Sequence, residues 1–206
     1  MRRTVIPVLP GRVASRDLVL LGQGRERVVY GHRDMPDRVF KILHPGAEHG
    51  ERTFFREFRA QKNAVPHLAP IPALLGMQAT EMGRAQVTER ISDADGDVAP
   101  SLEALAGPAG LPGPLLVALN EFVRRVYAAR LVGHDFAPKN ILYGVRPGEA
   151  EAAFVQIDGF GDRQRHSRKE LFGFKLTRSL DRELGKIARR TALRWNPVAR
   201  AFANPA

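Results

Sequence analysis

Three oxygen-bearing side chains stand where two loops meet short apolar runs. In Val132–Gly144, VGHDFAPKNILYG, Asp135 and Asn140 lie five residues apart across Pro138, ahead of Ile141-Leu142-Tyr143. In Val155–Gly161, VQIDGFG, the apolar run Phe154–Ile157 delivers Asp158 into a Gly-Phe-Gly turn. Each half reads as a loop leading into or out of a short strand. Oxygen donors on such loops suit a hard cation such as Mg²⁺ bound together with phosphate, and they leave Asp135 to act as a base. The chemistry expected is phosphoryl transfer. The plainer alternative is that Asp135 and Asn140 tie a turn and that Asp158 is a turn residue before Gly159.

Several elements must position these residues. Leu115–Arg130 carries Leu115, Leu119, Phe122 and Val126 at helical spacing, widened by Leu116, Val123 and Tyr127, and it ends directly before the Asp135 loop. Upstream, Val19–Leu21 and Val28–Tyr30 predict a hairpin around Gly22-Gln23-Gly24. Val39-Phe40-Lys41-Ile42 predicts a third strand, and its lysine, inside an apolar run, needs a partner. Glu51–Asn63 predicts a helix with Phe54, Phe58 and Gln61 on one face and Glu57 on the same side. Lys41 is one counter-charge for Glu57; Arg56 and Arg59 are the surface alternatives.

After the proline-rich Pro66–Pro72, Ala73–Gln78 and Ala85–Glu89 predict two further strands around Thr80–Arg84. Ile91–Pro100, ISDADGDVAP, is the expected boundary between lobes. Its alternating aspartates fail the calcium-loop spacing, with glycine at the fourth position and no glutamate at the twelfth. A short helix is expected near Ser101–Ala106 and a hairpin turn at Arg146–Ala152. A terminal helix over Ser179–Trp195 is expected to turn Leu180, Leu184, Ile187, Thr191 and Trp195 inward, with Asn196-Pro197 stopping it.

Composition sets the outer bounds. The 206 residues suffice for one domain or two lobes of one. No run of about eighteen apolar residues exists to span a membrane. The opening MRRTVIPVLPGR is broken by Pro7 and Pro10, so no cleavable signal peptide is expected. The absence of cysteine excludes disulfides and thiolate metal sites and fits a reducing compartment. Of the formal +10 charge, +9 falls within residues 163–200, which hold twelve Lys/Arg against three Asp/Glu. This asymmetry points either to a surface that meets anions or to a solvated arginine-rich face.

Taken in order, the glycine turn, strand lysine, helix glutamate, Asp-x₄-Asn and Asp-Gly resemble the protein-kinase-like fold over about Val19 to Gly161. The fold expected is α+β: a small bilobal protein-kinase-like fold with an antiparallel-sheet N-lobe and a mainly helical minimal C-lobe. The lobes would be residues 1–91 and 101–206, with 92–100 as hinge or linker. The resemblance implies that Leu21–Tyr30, with Gly22, Gly24, Arg25 and Arg27, covers the phosphates of ATP, which Lys41 contacts while Glu57 anchors it. It implies that Glu89–Ile91 meets adenine, that Asp135 is the catalytic base, and that Asn140 and Asp158 hold Mg²⁺. More narrowly, the chain resembles the bacterial YrbL family, the PhoP-regulatory-network proteins of kinase-like fold. That likeness is carried by Leu21-Gly22-x-Gly24, Val39-Phe40-Lys41, Ile91-Ser92-Asp93-x-Asp95-Gly96, Asn140-Ile141-Leu142 and Ile157-Asp158-Gly159-Phe160-Gly161.

Departures from the kinase pattern shape the functional expectation. Arg27 replaces the third loop glycine, His-Arg-Asp becomes Gly133-His134-Asp135, and the metal turn is Asp-Gly-Phe-Gly. Ala137 stands where protein kinases usually carry lysine, as it is also absent from small-molecule kinases of this fold. About 45 residues follow the metal turn, little material for a peptide-docking platform. The expected function is an ATP/Mg-dependent phosphotransferase acting on a small-molecule, saccharide or lipid-linked hydroxyl. The alternative is a pseudokinase, a nucleotide-binding regulatory or scaffold protein without turnover; adenylyl transfer and nucleic-acid binding are less favoured. Expected partners are the nucleotide, the acceptor, and an anionic membrane surface or acidic partner for residues 163–200. The expected location is cytoplasmic, including the inner membrane face. His134 is expected to make a structural hydrogen bond in its loop, and the other histidines are assigned no role.

Overall fold

In the computed structural model, residues 7–47, 57–61, 69–133, 135–161 and 173–206 are described. Phe54, His134, residues 163–172 and most of Glu51–Asn63 therefore lie outside the described residues, and 57–61 are helical (α1). The contacts divide the chain into two units. One comprises Met1–Phe55 with Ala73–Arg90; the other comprises Arg56–Pro72 with Ile91–Ala206. Whereas the sequence groups Glu57 with the first ninety-one residues, this division groups α1 with the later part of the chain.

The first unit is a six-stranded sheet. Its strands are β1 (Val8–Val13), β2 (Leu18–Gln23), β3 (Arg27–His32), β4 (Met35–Leu43), β5 (Leu74–Thr80) and β6 (Gly83–Glu89), in the order β1-β5-β6-β4-β3-β2. All neighbours are antiparallel except β1 and β5. Alternation along β4 separates two faces. Phe40 and Ile42 stand opposite Val87 and Ala85 and, with Val13, form the apolar core; Lys41 stands opposite Val29 and Gln86. Strand β1 departs from the sequence expectation. Pro7, Pro10 and Gly11 spoil its pattern, yet an edge strand tolerates a residue without N–H. The Gln78 amide secures it, donating to the carbonyls of Pro10 and Gly11 at 3.0 and 2.8 Å.

In the second unit, Leu102–Leu105 (α2) is capped by Ser101, whose Oγ accepts the Ala104 N–H at 3.2 Å. The 16-residue helix Gly113–Ala128 (α3) begins with proline in its first turn and buries Leu119, Phe122, Val123 and Val126. Strands β7 (Ile141–Gly144) and β8 (Ala153–Gln156) pair antiparallel, Ile141 opposite Gln156. Helix α4 (Gly173–Arg190) follows, then the hairpin β9 (Arg194–Asn196) and β10 (Ala201–Ala203). The core joins Leu119, Phe122, Phe136, Phe154 and Phe160 with Leu180, Leu184 and Ile187.

The terminal helix is a correction. It ends at Arg190, where Thr191 Oγ1 donates back to the Ile187 carbonyl at 2.9 Å and Ala192 takes φ 56°. Trp195, expected on the helix, lies on β9 with its ring 5.0 Å from that of Phe202. The side chain of Asn120 in α3 holds β10 by both backbone groups of Phe202, donating at 3.0 Å and accepting at 2.7 Å. Burying an aromatic pair against α3 outweighs one more turn of helix.

Candidate functional site

The Asp135 loop begins where α3 stops. Arg130 takes φ 51° and the Leu131 N–H returns to the Val126 carbonyl at 3.0 Å, so the chain turns sharply. It then runs antiparallel to the Asp158 turn. Gly161 N–H donates to the Val132 carbonyl at 2.7 Å, Gly133 bridges Phe160, and Asp135 N–H donates to the Gly159 carbonyl at 3.2 Å. One glycine permits this approach, and another makes room for Phe136 within the Asp135 loop itself. A Cβ on Gly133 would lie 2.0 Å from the Phe136 ring, and one on Gly159, at φ 77°, would lie 2.2 Å from the Asp135 carbonyl oxygen.

Asn140 closes the 3₁₀ turn Pro138–Asn140 immediately before β7. Its carbonyl accepts the Ile157 N–H at 2.8 Å, so Asn140 and Asp158 occupy adjoining register positions at the end of the β7–β8 hairpin. Asp158 Oδ1 accepts the Gly159 N–H at 2.6 Å, which fixes the carboxylate against its own turn. Asp135 is exposed, while Asn140 and Asp158 are half-buried. The backbone thus brings all three residues named from the sequence onto two joined loops.

The residue joining them from within was not singled out by sequence. Gln156, fully buried at the end of β8, donates through Nε2 to the Asp135 carbonyl at 3.3 Å and to the Asp158 carbonyl. One amide therefore straps both loops. The signal was present: a polar side chain interrupts the apolar run Phe154–Ile157, as Lys41 interrupts its own.

Lys41 and Glu57 belong to different units. Lys41 is 5 % exposed, beside the buried Gln86 on β6, and Glu57 is 0 % exposed on α1. An ammonium and a carboxylate withdrawn from water to this degree are costly residues to keep for packing alone. At the glycine turn, β2 shifts register between Leu20 and Gly22, and the Gly24 N–H donates to the Arg27 carbonyl at 2.8 Å. Arg25 is exposed, whereas Arg27 is buried. The turn is also tied to His44, a histidine given no role from sequence: its Nε2 lies 3.1 Å from the Gly24 carbonyl, and its backbone N–H donates to the Glu26 carbonyl at 3.0 Å. At the expected hinge, Glu89 N–H donates to the Ala73 carbonyl at 3.1 Å. Ile91 is buried with Ala99, Leu142 and Val155.

This order of elements has known counterparts. The family model for PhoP regulatory network protein YrbL matches residues 14–192. The chain belongs to this family. Among solved structures, the YrbL-family chain is similar to a Stt7 homolog from Micromonas algae, solved from a crystal soaked with ATP. The TM-score is 0.52 at 14 % identity, over 77 % of this chain and 53 % of that one. The likeness establishes a kinase-like fold, and this chain spans about half the length of that neighbour. No curated protein matches the sequence. Among the described residues, no helix is long and apolar enough to cross a membrane.

The residues present fit Mg²⁺. Asn140 and Asp158 offer hard oxygen donors, and no cluster of three His, Cys, Asp or Glu able to hold a metal occurs among the described residues. A cation held by these two residues would complete its shell with phosphate and water, as Mg²⁺ ordinarily does.

Proposed function

We propose that this YrbL-family protein is an ATP/Mg²⁺-dependent phosphotransferase acting on a non-protein hydroxyl. The observation that carries this reading is the zippered pair of loops, on which the backbone sets Asp135, Asn140 and Asp158 in one frame. Asp135, exposed at the loop surface, accepts the proton of the acceptor hydroxyl or orients it. Asn140 and Asp158 hold the cation, which supplies charge neutralisation on the phosphate oxygens when bound. Lys41, buried on β4, is the cation that the kinase-like resemblance assigns to the phosphate charge. The buried Ala137, in place of a lysine, supports a small-molecule, saccharide or lipid-linked acceptor over a peptide.

The test is ATP turnover with Mg²⁺ across sugar, nucleoside and lipid hydroxyl acceptors, with Asp158→Asn and Lys41→Met as controls. Phosphate appearing on an acceptor, lost in both variants, supports the reading. AMP on the product, read by mass, would establish adenylyl transfer instead. A second reading, nucleotide binding without turnover, is favoured by one observation: Arg27, in place of the third loop glycine, is buried rather than displayed. Mg-ATP binding that depends on Asp158, with no product on any acceptor, selects it.

A further inference from the structure

We propose that the C-terminal part of this protein is a docking surface for an anionic lipid bilayer, independent of the chemistry proposed above. Helix α4 turns Leu176, Leu180, Leu184 and Ile187 into the core. On the opposite side, Arg178, Arg182 and Arg189 are exposed in one line at helical spacing, with Lys186 beside it. Both acids of the helix are engaged: Asp181 accepts the Tyr127 hydroxyl, and Glu183 is 3 % exposed, its Oε1 bonded to Lys186 at 2.7 Å and 3.8 Å from Arg182. Glu183 orients these two cations without presenting negative charge to a partner. Arg178, Arg189 and Arg190 have no acidic partner among the described residues, so the row is available to an external anion.

Charge alone fits nucleic acid equally well; the adjoining hairpin favours a bilayer. Strand β9 packs against α4, and the β9–β10 turn presents Pro197-Val198-Ala199 between Arg194 and Arg200. Val198 is 94 % exposed, the most exposed of the protein's large apolar side chains among the described residues. The amides of these three residues make no demand on a partner. Pro197 has no N–H, and those of Val198 and Ala199 both donate to Asn196 Oδ1 at 3.0 Å. An apolar tip with no unmet donor can enter the headgroup–acyl boundary without the penalty that an open loop meets there. Single-stranded nucleic acid instead calls for aromatic platforms, and Trp195 is already committed to Phe202.

The test is co-sedimentation of the full chain with phosphatidylcholine vesicles, with and without phosphatidylglycerol. Binding is expected only to the anionic vesicles and should weaken as salt rises. Arg178→Glu/Arg182→Glu/Arg189→Glu should lower partitioning by on the order of 100-fold or more, since each basic residue near such a surface counts almost a decade. Val198→Asp, at an exposed site that leaves the fold intact, should weaken it separately. Trp195 is the protein's single tryptophan, and bromine-labelled acyl chains should quench it only in the bound wild type. Three results overturn the proposal: wild type left in the supernatant, equal binding to neutral vesicles, or a charge-reversed variant that binds undiminished. Salt-sensitive binding to duplex DNA or RNA, without vesicle binding, assigns the surface to nucleic acid instead.

Discussion

Replacing Gly159 by alanine probes the contact between the two loops on which the functional proposal stands. Two costs combine. At φ 77° an L side chain is strained by about 1 kcal/mol or somewhat more. The new Cβ would also sit 2.2 Å from the Asp135 carbonyl oxygen and 2.9 Å from its carbon, a collision with backbone that no rotamer change relieves. The loops must separate, weakening the Asp135–Gly159 bond and the Gln156 strap at about 1 kcal/mol each. The total is about 2–4 kcal/mol. Gly148→Ala is the matched control: its φ is 80°, yet nothing lies within 4 Å of its Cβ position, so only the backbone term of about 1 kcal/mol applies. Urea unfolding monitored by circular dichroism gives both values. Gly159→Ala should also lose Mg-ATP binding measured by calorimetry, while Gly148→Ala retains it. Equal destabilisation by the two substitutions, within about 0.5 kcal/mol, would refute the inference that close approach of the loops constrains Gly159.

Other expectations follow from contacts elsewhere. Gln156→Leu keeps the bulk but leaves the Asp135 and Asp158 carbonyls without their shared donor; a cost of about 1–3 kcal/mol in urea is expected. Asn120→Ala frees both backbone groups of Phe202 and should cost a similar ~1–3 kcal/mol, with increased proteolysis after α4. The Glu81 carboxyl is held below its ordinary 4.5 by hydrogen bonds from the Ser15 backbone N–H and hydroxyl, each at 2.8 Å. Its contribution is therefore present above pH 4.5 and lost as pH falls through the lowered value, so acid melts of wild type and Glu81→Gln should converge. The Tyr127 phenol is raised above its ordinary 10.0 by burial and then by its 2.5 Å hydrogen bond to Asp181. That contribution is present below pH 10.0 and lost as pH rises toward the raised value, so Tyr127→Phe should flatten the alkaline limb of the stability curve.

The candidate site residues stand out in the sequence because their type and placement conflict with simple packing. Lys41 within Val39–Ile42 is a polar break in an apolar run and falls in strand β4, while Asp158 ends the run Phe154–Ile157 and falls in the bend just after β8. Strand pairing was legible from alternation: β2 to β6 follow the expected runs, each longer by a residue or more. Strand β1 was hidden because its stability comes from the Gln78 amide and an edge position, not from its own residues. The over-long terminal helix has the opposite cause. Thr191 and Trp195 keep helical period with Ile187, but period cannot report that Phe202 and Asn120 offer Trp195 a better place. Gln156 passed unnoticed since its two acceptors are backbone carbonyls, which carry no residue-type signal.

The Gln156 strap has a kinetic corollary. With Val132, Asp135, Asp158 and Gly161 fastened across one short ladder, neither loop can leave its place without releasing the other. The amide protons of Asp135 and Gly161 should therefore exchange with deuterium in one shared opening, as leaves of a single latch.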